Sequence, residues 1–270
     1  MAGADDLRRR RARFLRRRGR RERAATMPMV AHLAELRTRL IKSAVAFITI
    51  SIAVFAFYEP IFSLFQRPLC DIDPDRLGPL GCRLQFARVI GAFQFRLKLT
   101  ALVGIALSSP VWLYQIWAFV VPALTKRERR YARPFIVIAS GLFLAGALFA
   151  YVLLPTGLRF LLAVGGENLV PWLGAEEYLN FVGFMLLGFG IMFELPVVLF
   201  FAGLLDIVGV DQLRRGRRVA LVLIVILAAI VTPSQDPYTM LLLSVPLYLF
   251  YELTILLLAA TLKRRKEPGV

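Results

Sequence analysis

A chain of 270 residues, 58% of them hydrophobic and with a mean hydropathy of +0.66, is too apolar for an ordinary soluble domain. Its formal net charge of +16 belongs in large part to one stretch, since eleven arginines fall within residues 8–23. His32 has no second His or Cys nearby to share a metal, and no nucleotide-binding glycine loop or nucleophile–base set is present, so neither cofactor nor catalytic chemistry is expected.

Residues 1–28 predict a disordered basic tail, too charged and too poor in apolar side chains to pack. The next residues, Ala24-Ala25-Thr26-Met27-Pro28-Met29, lack the apolar segment of a cleavable signal peptide. Without aromatic interleaving or a nucleic-acid motif, the tail is expected to meet anionic lipid headgroups, with no role for nucleic acid. Met27 offers an alternative start of translation, the arginine tail then being an extension.

The membrane domain is expected over residues 29–262. Leu33, Leu36, Leu40 and Ile41 recur at helical spacing with Glu35, Arg37 and Arg39 off the stripe, which predicts an interfacial helix leading into a first span at 41–57. Lys42, the one charge in that span, sits at its start and can snorkel. Glu59 and Pro60 are expected to end it. A long polar connection follows, carrying Cys70, Asp71, Asp73, Asp75 and Cys82, and is expected to cap the outer face. Near its end Phe86, Val89, Ile90, Phe93 and Leu97 predict a second interfacial helix.

The second span, 99–124, contains Pro110 and Pro122, which kink a membrane helix rather than end it. The loop at 125–133 carries five cations and a single acid, Glu128. A third span, 134–154, is expected to stop near Pro155-Thr156-Gly157. After a connection bearing Glu167, Glu176 and Glu177 comes the fourth span, 178–205, whose one charge is Glu194. The basic loop at 206–218 leads to a fifth span at 219–235. At about 1.5 Å per residue this reaches only about 26 Å, short of a hydrocarbon core of about 30 Å, and predicts local bilayer thinning. The sixth span, 237–262, is interrupted by Glu252, and residues 263–270 form a basic tail.

Topology follows from the bases. Both termini and the loops at 125–133 and 206–218 are basic, whereas the other connections are mixed or acidic. The expectation is an all-α integral membrane protein of six spans with both ends in the cytoplasm. Arg83, Arg88, Arg96 and Lys98 dissent, since they would lie outside. Cys70 and Cys82 would also lie outside, where a disulfide persists once formed; bridged and unbridged forms both fit the sequence.

Several stretches, in order and on consistent sides of the membrane, carry a resemblance. They are His32-Leu33-Ala34-Glu35-Leu36-Arg37-Thr38-Arg39-Leu40, Pro110-Val111-Trp112-Leu113-Tyr114-Gln115-Ile116-Trp117-Ala118-Phe119, Pro122-Ala123-Leu124 followed by the bases to Arg130, Phe193-Glu194-Leu195-Pro196, and Thr232-Pro233 with Asp236. Together they make the chain resemble the TatC family, the receptor component of the twin-arginine protein translocase. The resemblance implies a receptor in the cytoplasmic membrane of a bacterium that binds twin-arginine signal peptides of folded cargo. It implies partners of the TatA and TatB type, further copies of the chain itself, and transport driven by the proton gradient. Acids at Glu35 and Glu128 would recognise the two arginines, with Arg37, Phe119 and Arg129 around them. Thr232, Pro233 and Asp236 would lie where single-span partners are engaged. The chain departs from the pattern by an extra residue around Ser234 and Gln235 and by Arg127.

Charge patterning alone leaves each acid a plainer role. Glu128 can pair with Arg129, with Arg130 or with an arginine on the helix of Glu35, and Glu35 with Arg39 one helical turn on. Glu194 and Glu252 sit at similar expected depth, about 16 Å from the cytoplasmic ends of their helices, and neither span offers a basic partner. A shared hydrated hollow and a neutral acid bonded to a neighbouring helix both fit. An ion-coupled carrier of a small solute is the alternative function, although repeated halves and broken helices are not evident.

Overall fold

The computed structural model describes residues 29–73, 77, 81–120, 129–164, 172–232 and 237–266. Among these there are ten α-helices and one isolated bridge between Gln85 and Gly174. Four stretches are long and apolar enough to cross a membrane: Leu33–Ala56, Ile136–Val164, Ala175–Leu204 and Thr239–Lys263. A bent pair, Gly91–Leu107 with Ser109–Phe119, makes a fifth. The chain is an all-helical, multi-pass membrane protein.

Helix α1, Met29–Ala56, joins the expected interfacial segment and the first span without a break. It ends at Phe57, and α2, Tyr58–Cys70, starts at once, so the connection read as irregular holds a helix of 13 residues. The sequence hid it behind two prolines. Pro60 occupies the first turn, where a missing N–H costs nothing, and Glu59 beside it favours the positive helix end. Pro68 falls in the last turns.

The second interfacial helix is absorbed into the span. Helix α3, Gly91–Leu107, begins later than the apolar spacing from Phe86 suggested and continues through the residues read as transmembrane. It bends by 53° into α4, Ser109–Val120. The cause is Pro110, which has no N–H to continue the ladder. The carbonyl of Ile105, one of those at the break, accepts from Trp112 Nε1 at 3.0 Å and from Ser108 Oγ at 3.2 Å.

Helix α5, Arg129–Val164, passes through Pro155 and Gly157, where a stop was expected. A membrane helix tolerates such a proline because its neighbours and ordered polar groups can satisfy the freed carbonyl. Helix α6, Ala175–Met192, breaks at Phe193-Glu194 and resumes as α7, Leu195–Leu204, again two residues before a proline, Pro196. The loop read at 206–218 contains α8, Val210–Arg215, and gives way to α9, Arg217–Val231, and α10, Pro237–Lys266. At 15 residues, about 22 Å, α9 falls short of a hydrocarbon core of about 30 Å.

Small residues let the helices approach. A Cβ on Gly146 of α5 would lie 2.6 Å from the Phe189 carbonyl oxygen of α6, and one on Gly190 would lie 2.8 Å from the Phe143 ring. Large apolar side chains elsewhere, such as Leu40, Ile52, Val137, Leu148 and Leu256, are exposed as lipid-facing residues would be.

At one end of the bundle, the bridge end, Cys70 and Cys82 are joined by a disulfide with a Cα–Cα distance of 5.0 Å. There α2 is tied down by three donors to its backbone: Tyr151 Oη to Leu64 O at 2.8 Å, Tyr178 Oη to Phe65 O at 3.0 Å, and Arg159 Nη2 to Asp71 O at 2.9 Å. The two connections at this end also bond each other, Gln85 N–H to Leu173 O and Ala175 N–H to Gln85 O. Two of the dissenting cations find local partners here. Arg96 lies 4.3 Å and 4.5 Å from the ring centroids of Phe55 and Tyr58, and Lys98 pairs with Glu176.

Candidate functional site

At the opposite end, the first turns of α1 meet the last turns of α4. Glu35 and Arg39 are one helical turn apart on α1, and Arg39 gives both Nε (3.0 Å) and Nη2 (2.5 Å) to the same oxygen, Glu35 Oε1. Its Nη1 reaches Gln115 Oε1 of α4 at 3.4 Å. Glu35 keeps 26% of its side chain exposed, so the pair is neither buried nor freely solvated. Phe119, half-buried, follows Gln115 by one turn and so shares its side of α4. The local reading of Glu35 as a helix pair with Arg39 therefore describes the geometry, and the patch it belongs to runs Glu35, Arg39, Gln115, Phe119.

Arg37 is exposed. Glu128 lies outside the described residues, and of Arg129 only its place at the start of α5 is described. Two members of the patch, Arg39 and Gln115, were not among the expected binding residues. Gln115 carried a readable signal, being the one amide in the apolar run from 99 to 124.

The two intramembrane acids have different surroundings. Glu252 is not without a base: it accepts from Arg217 Nη2 at 2.7 Å and from Tyr248 Oη at 3.2 Å. The spans themselves offer no base, but Arg217, expected in the basic loop at 206–218, is the first residue of α9 and reaches Glu252 from there. Glu194, at the α6–α7 break, is 8% exposed, and neither carboxylate oxygen has a hydrogen-bond partner among the described residues. Around it Phe193 meets Phe250 edge to face at 5.3 Å, and Thr254 Oγ1 reaches Pro196 O at 3.5 Å. These contacts put residues 193–196 level with 250–254, the similar depth expected of the two acids.

At the bridge end Thr232 is buried and its hydroxyl bonds back to Ala228 O at 2.8 Å, while Pro233 and Asp236 lie outside the described residues. No group of three or more His, Cys, Asp or Glu suited to a metal occurs among the described residues.

A family model, Sec-independent protein translocase protein (TatC), matches residues 31–246. The chain belongs to the TatC family. Relatives named Sec-independent protein translocase protein TatC include one from Frankia casuarinae, 41% identical over 237 residues, and one from Aquifex aeolicus, 35% identical over 244. The alignments span 86% and 89% of this chain. They cover 65% of the Frankia protein and 98% of the Aquifex one; for the relative from Corynebacterium kroppenstedtii, 35% identical, the share is 61%. The chain thus spans less than two thirds of the Frankia and Corynebacterium relatives and nearly all of the Aquifex protein. Two solved structures, each described as a crystal structure of the twin arginine translocase receptor TatC, match with TM-scores of 0.70 and 0.68 at 35% and 34% identity. The matches cover 84% and 85% of this chain and 98% of each of those. By their printed names these relatives are components of a Sec-independent protein translocase. Glu35, Gln115 and Glu194 fall within the residues matched to the TatC model, whereas Glu252 lies beyond them.

Proposed function

We propose that this TatC-family chain is the receptor and core subunit of a twin-arginine translocase, binding twin-arginine signal peptides of folded cargo at its cytoplasmic face. The observation that carries the reading is that Glu35 already holds a guanidinium, from Arg39, at a half-exposed position. A carboxylate set to accept the fork of one arginine can accept that of another. Arg39 then acts as a placeholder, and an incoming arginine takes over Glu35 while Gln115 keeps Arg39 in reach. Glu128 supplies the second carboxylate, with Arg37, Phe119 and Arg129 around the pair.

The finer topology belongs to the same proposal. Six spans, with α9 as the short fifth, put both termini in the cytoplasm of a bacterium, and the connection bearing α2 becomes an extracytoplasmic cap. Partners of the TatA and TatB type dock near Thr232, Pro233 and Asp236, where the short α9 thins the bilayer. Further copies of the chain and anionic lipids complete the complex, and the proton-motive force drives passage. Glu194, buried without a hydrogen-bond partner among the described residues, is suited to a polar group brought by a neighbouring chain or by water.

Crosslinking of a twin-arginine peptide to membranes carrying Glu35→Gln or Glu128→Gln tests the receptor reading. Each loss of a charge-assisted bond is expected to weaken capture by about tenfold, with a twin-lysine peptide poorly captured throughout. Undiminished capture by both variants overturns it.

A further inference from the structure

Where the two connections meet at the bridge end, the structure holds a cavity of about 180 Å³ that the receptor reading does not use. It lies between the turn from Gln85 to Arg88, the first turns of α3, and the approach to α6 from Trp172. Its volume is an order of magnitude above what a single water needs. Its charged lining is balanced, with Arg88 and Lys98 against Glu176 and Glu177. Lys98 and Glu176 satisfy each other. Glu177 folds back over Gly174, where a Cβ would collide with its carboxylate. Arg88 is exposed and lies within Coulombic reach of Glu176, and among the described residues its side chain makes no hydrogen bond or salt bridge.

The surroundings of this polar hole are unlike those of a site for a soluble ion. Val89 is fully exposed, and Ile90, Phe93 and Trp172 are exposed by 56%, 57% and 72%. These side chains stand at the start of two membrane-crossing segments, the level at which a tryptophan and a row of apolar groups meet the headgroups of a leaflet. A ligand that suits both features carries an anion and a cation on a short arm, no net charge, and an apolar tail.

We propose that this cavity binds the headgroup of a zwitterionic phospholipid of the phosphoethanolamine class. The phosphate meets the Arg88 guanidinium, whose fork matches its oxygens. The ammonium meets Glu177, and the acyl chains run over Val89, Ile90 and Phe93. A lipid of net negative charge would satisfy Arg88 but bring no cation to the exposed Glu177 carboxylate, so the lining favours the zwitterion by that one added contact. The inference does not rest on the receptor reading, because the signal-peptide patch lies at the other end of the bundle.

Native mass spectrometry of the full chain in detergent provides the test. The protein is offered phosphatidylethanolamine and phosphatidylglycerol of identical acyl chains in equal amounts, with glycerophosphoethanolamine and inorganic phosphate as competitors without tails. Retention of phosphatidylethanolamine is expected to exceed that of phosphatidylglycerol by about tenfold, and to fall by about tenfold in Arg88→Gln and in Glu177→Gln. Lys42→Gln, midway along α1 and about 20 Å by helix rise from its end near the cavity, is expected to leave it unchanged. Equal or preferred retention of phosphatidylglycerol overturns the proposal. So does retention indifferent to both cavity variants, which marks the lipid as bound elsewhere. Displacement of the lipid by inorganic phosphate alone also overturns it, since the cavity is then an anion hole.

Discussion

Three acids show how far a residue's type and its place in the chain determine its role. Glu35 was legible as one half of a helix pair with Arg39, because that reading needs only the i, i+4 spacing, whereas its expected role as acceptor of an incoming arginine came from the family resemblance. Glu252 was half legible: its depth followed from helix rise, but its partner Arg217 sits across a break at Gly216 that apolar length alone does not reveal. Glu194 was legible as costly and not as unpartnered. The two intramembrane acids should therefore respond differently to a water-soluble thiol reagent. In a background with Cys70 and Cys82 replaced by Ser, a Glu252→Cys variant, whose parent side chain is 26% exposed, is expected to be labelled, and Glu194→Cys to be protected in the isolated chain. Equal labelling of both would point to a common hollow.

At the scale of elements, proline was the least uniform signal. Pro110 and Pro196 each follow a break, whereas Pro155 lies inside a helix that continues. The proline fixes which N–H is missing; what becomes of the freed carbonyls depends on side chains distant in the pattern. At the α3–α4 bend, Trp112 supplies a donor to Ile105 O while its ring meets Phe143 edge to face at 5.3 Å. Trp112→Phe keeps an aromatic ring and removes the donor. It is expected to cost about 1 kcal/mol, read as a lowered midpoint of thermal unfolding in detergent. The α5–α6 contact allows less. Gly146→Ala sets a methyl group against the Phe189 carbonyl, a backbone atom that cannot swing aside, and is expected to destabilise the chain by about 1–3 kcal/mol in the same measurement. The hidden helix α2 has a related lesson. Its two prolines and polar neighbours spoke against a helix, and its stability comes from contacts to α5 and α6 that no local pattern contains.

For the whole molecule, the bridge end and the opposite end differ in how they are held. The opposite end holds the Glu35–Arg39–Gln115 patch, and its expected placement in the cytoplasm rests on charge alone. The bridge end is fastened by the disulfide, which closes a short loop with a sequence separation of 12 between its cysteines. Replacing both cysteines by serine is expected to lower stability by about 2–4 kcal/mol, with the largest gain in proteolytic cleavage falling between α2 and α3. Signal-peptide crosslinking at the other end should persist in that variant, and its loss would show that the two ends are mechanically coupled.

The fastening of α2 carries one more consequence. Tyr151, Tyr178 and Arg159 grip carbonyl oxygens at Leu64, Phe65 and Asp71, groups every residue possesses. The grip is blind to the side chains at those three positions. Evolution can therefore rewrite the exposed surface of α2, Leu64 included, without loosening its seat, while the two tyrosines stay fixed. A saturation library over this segment should show tolerance concentrated on the exposed face of the held helix and intolerance at its buried Phe65 and Leu69 and at the holders, leaving that outer face free to adapt to whatever environment it meets.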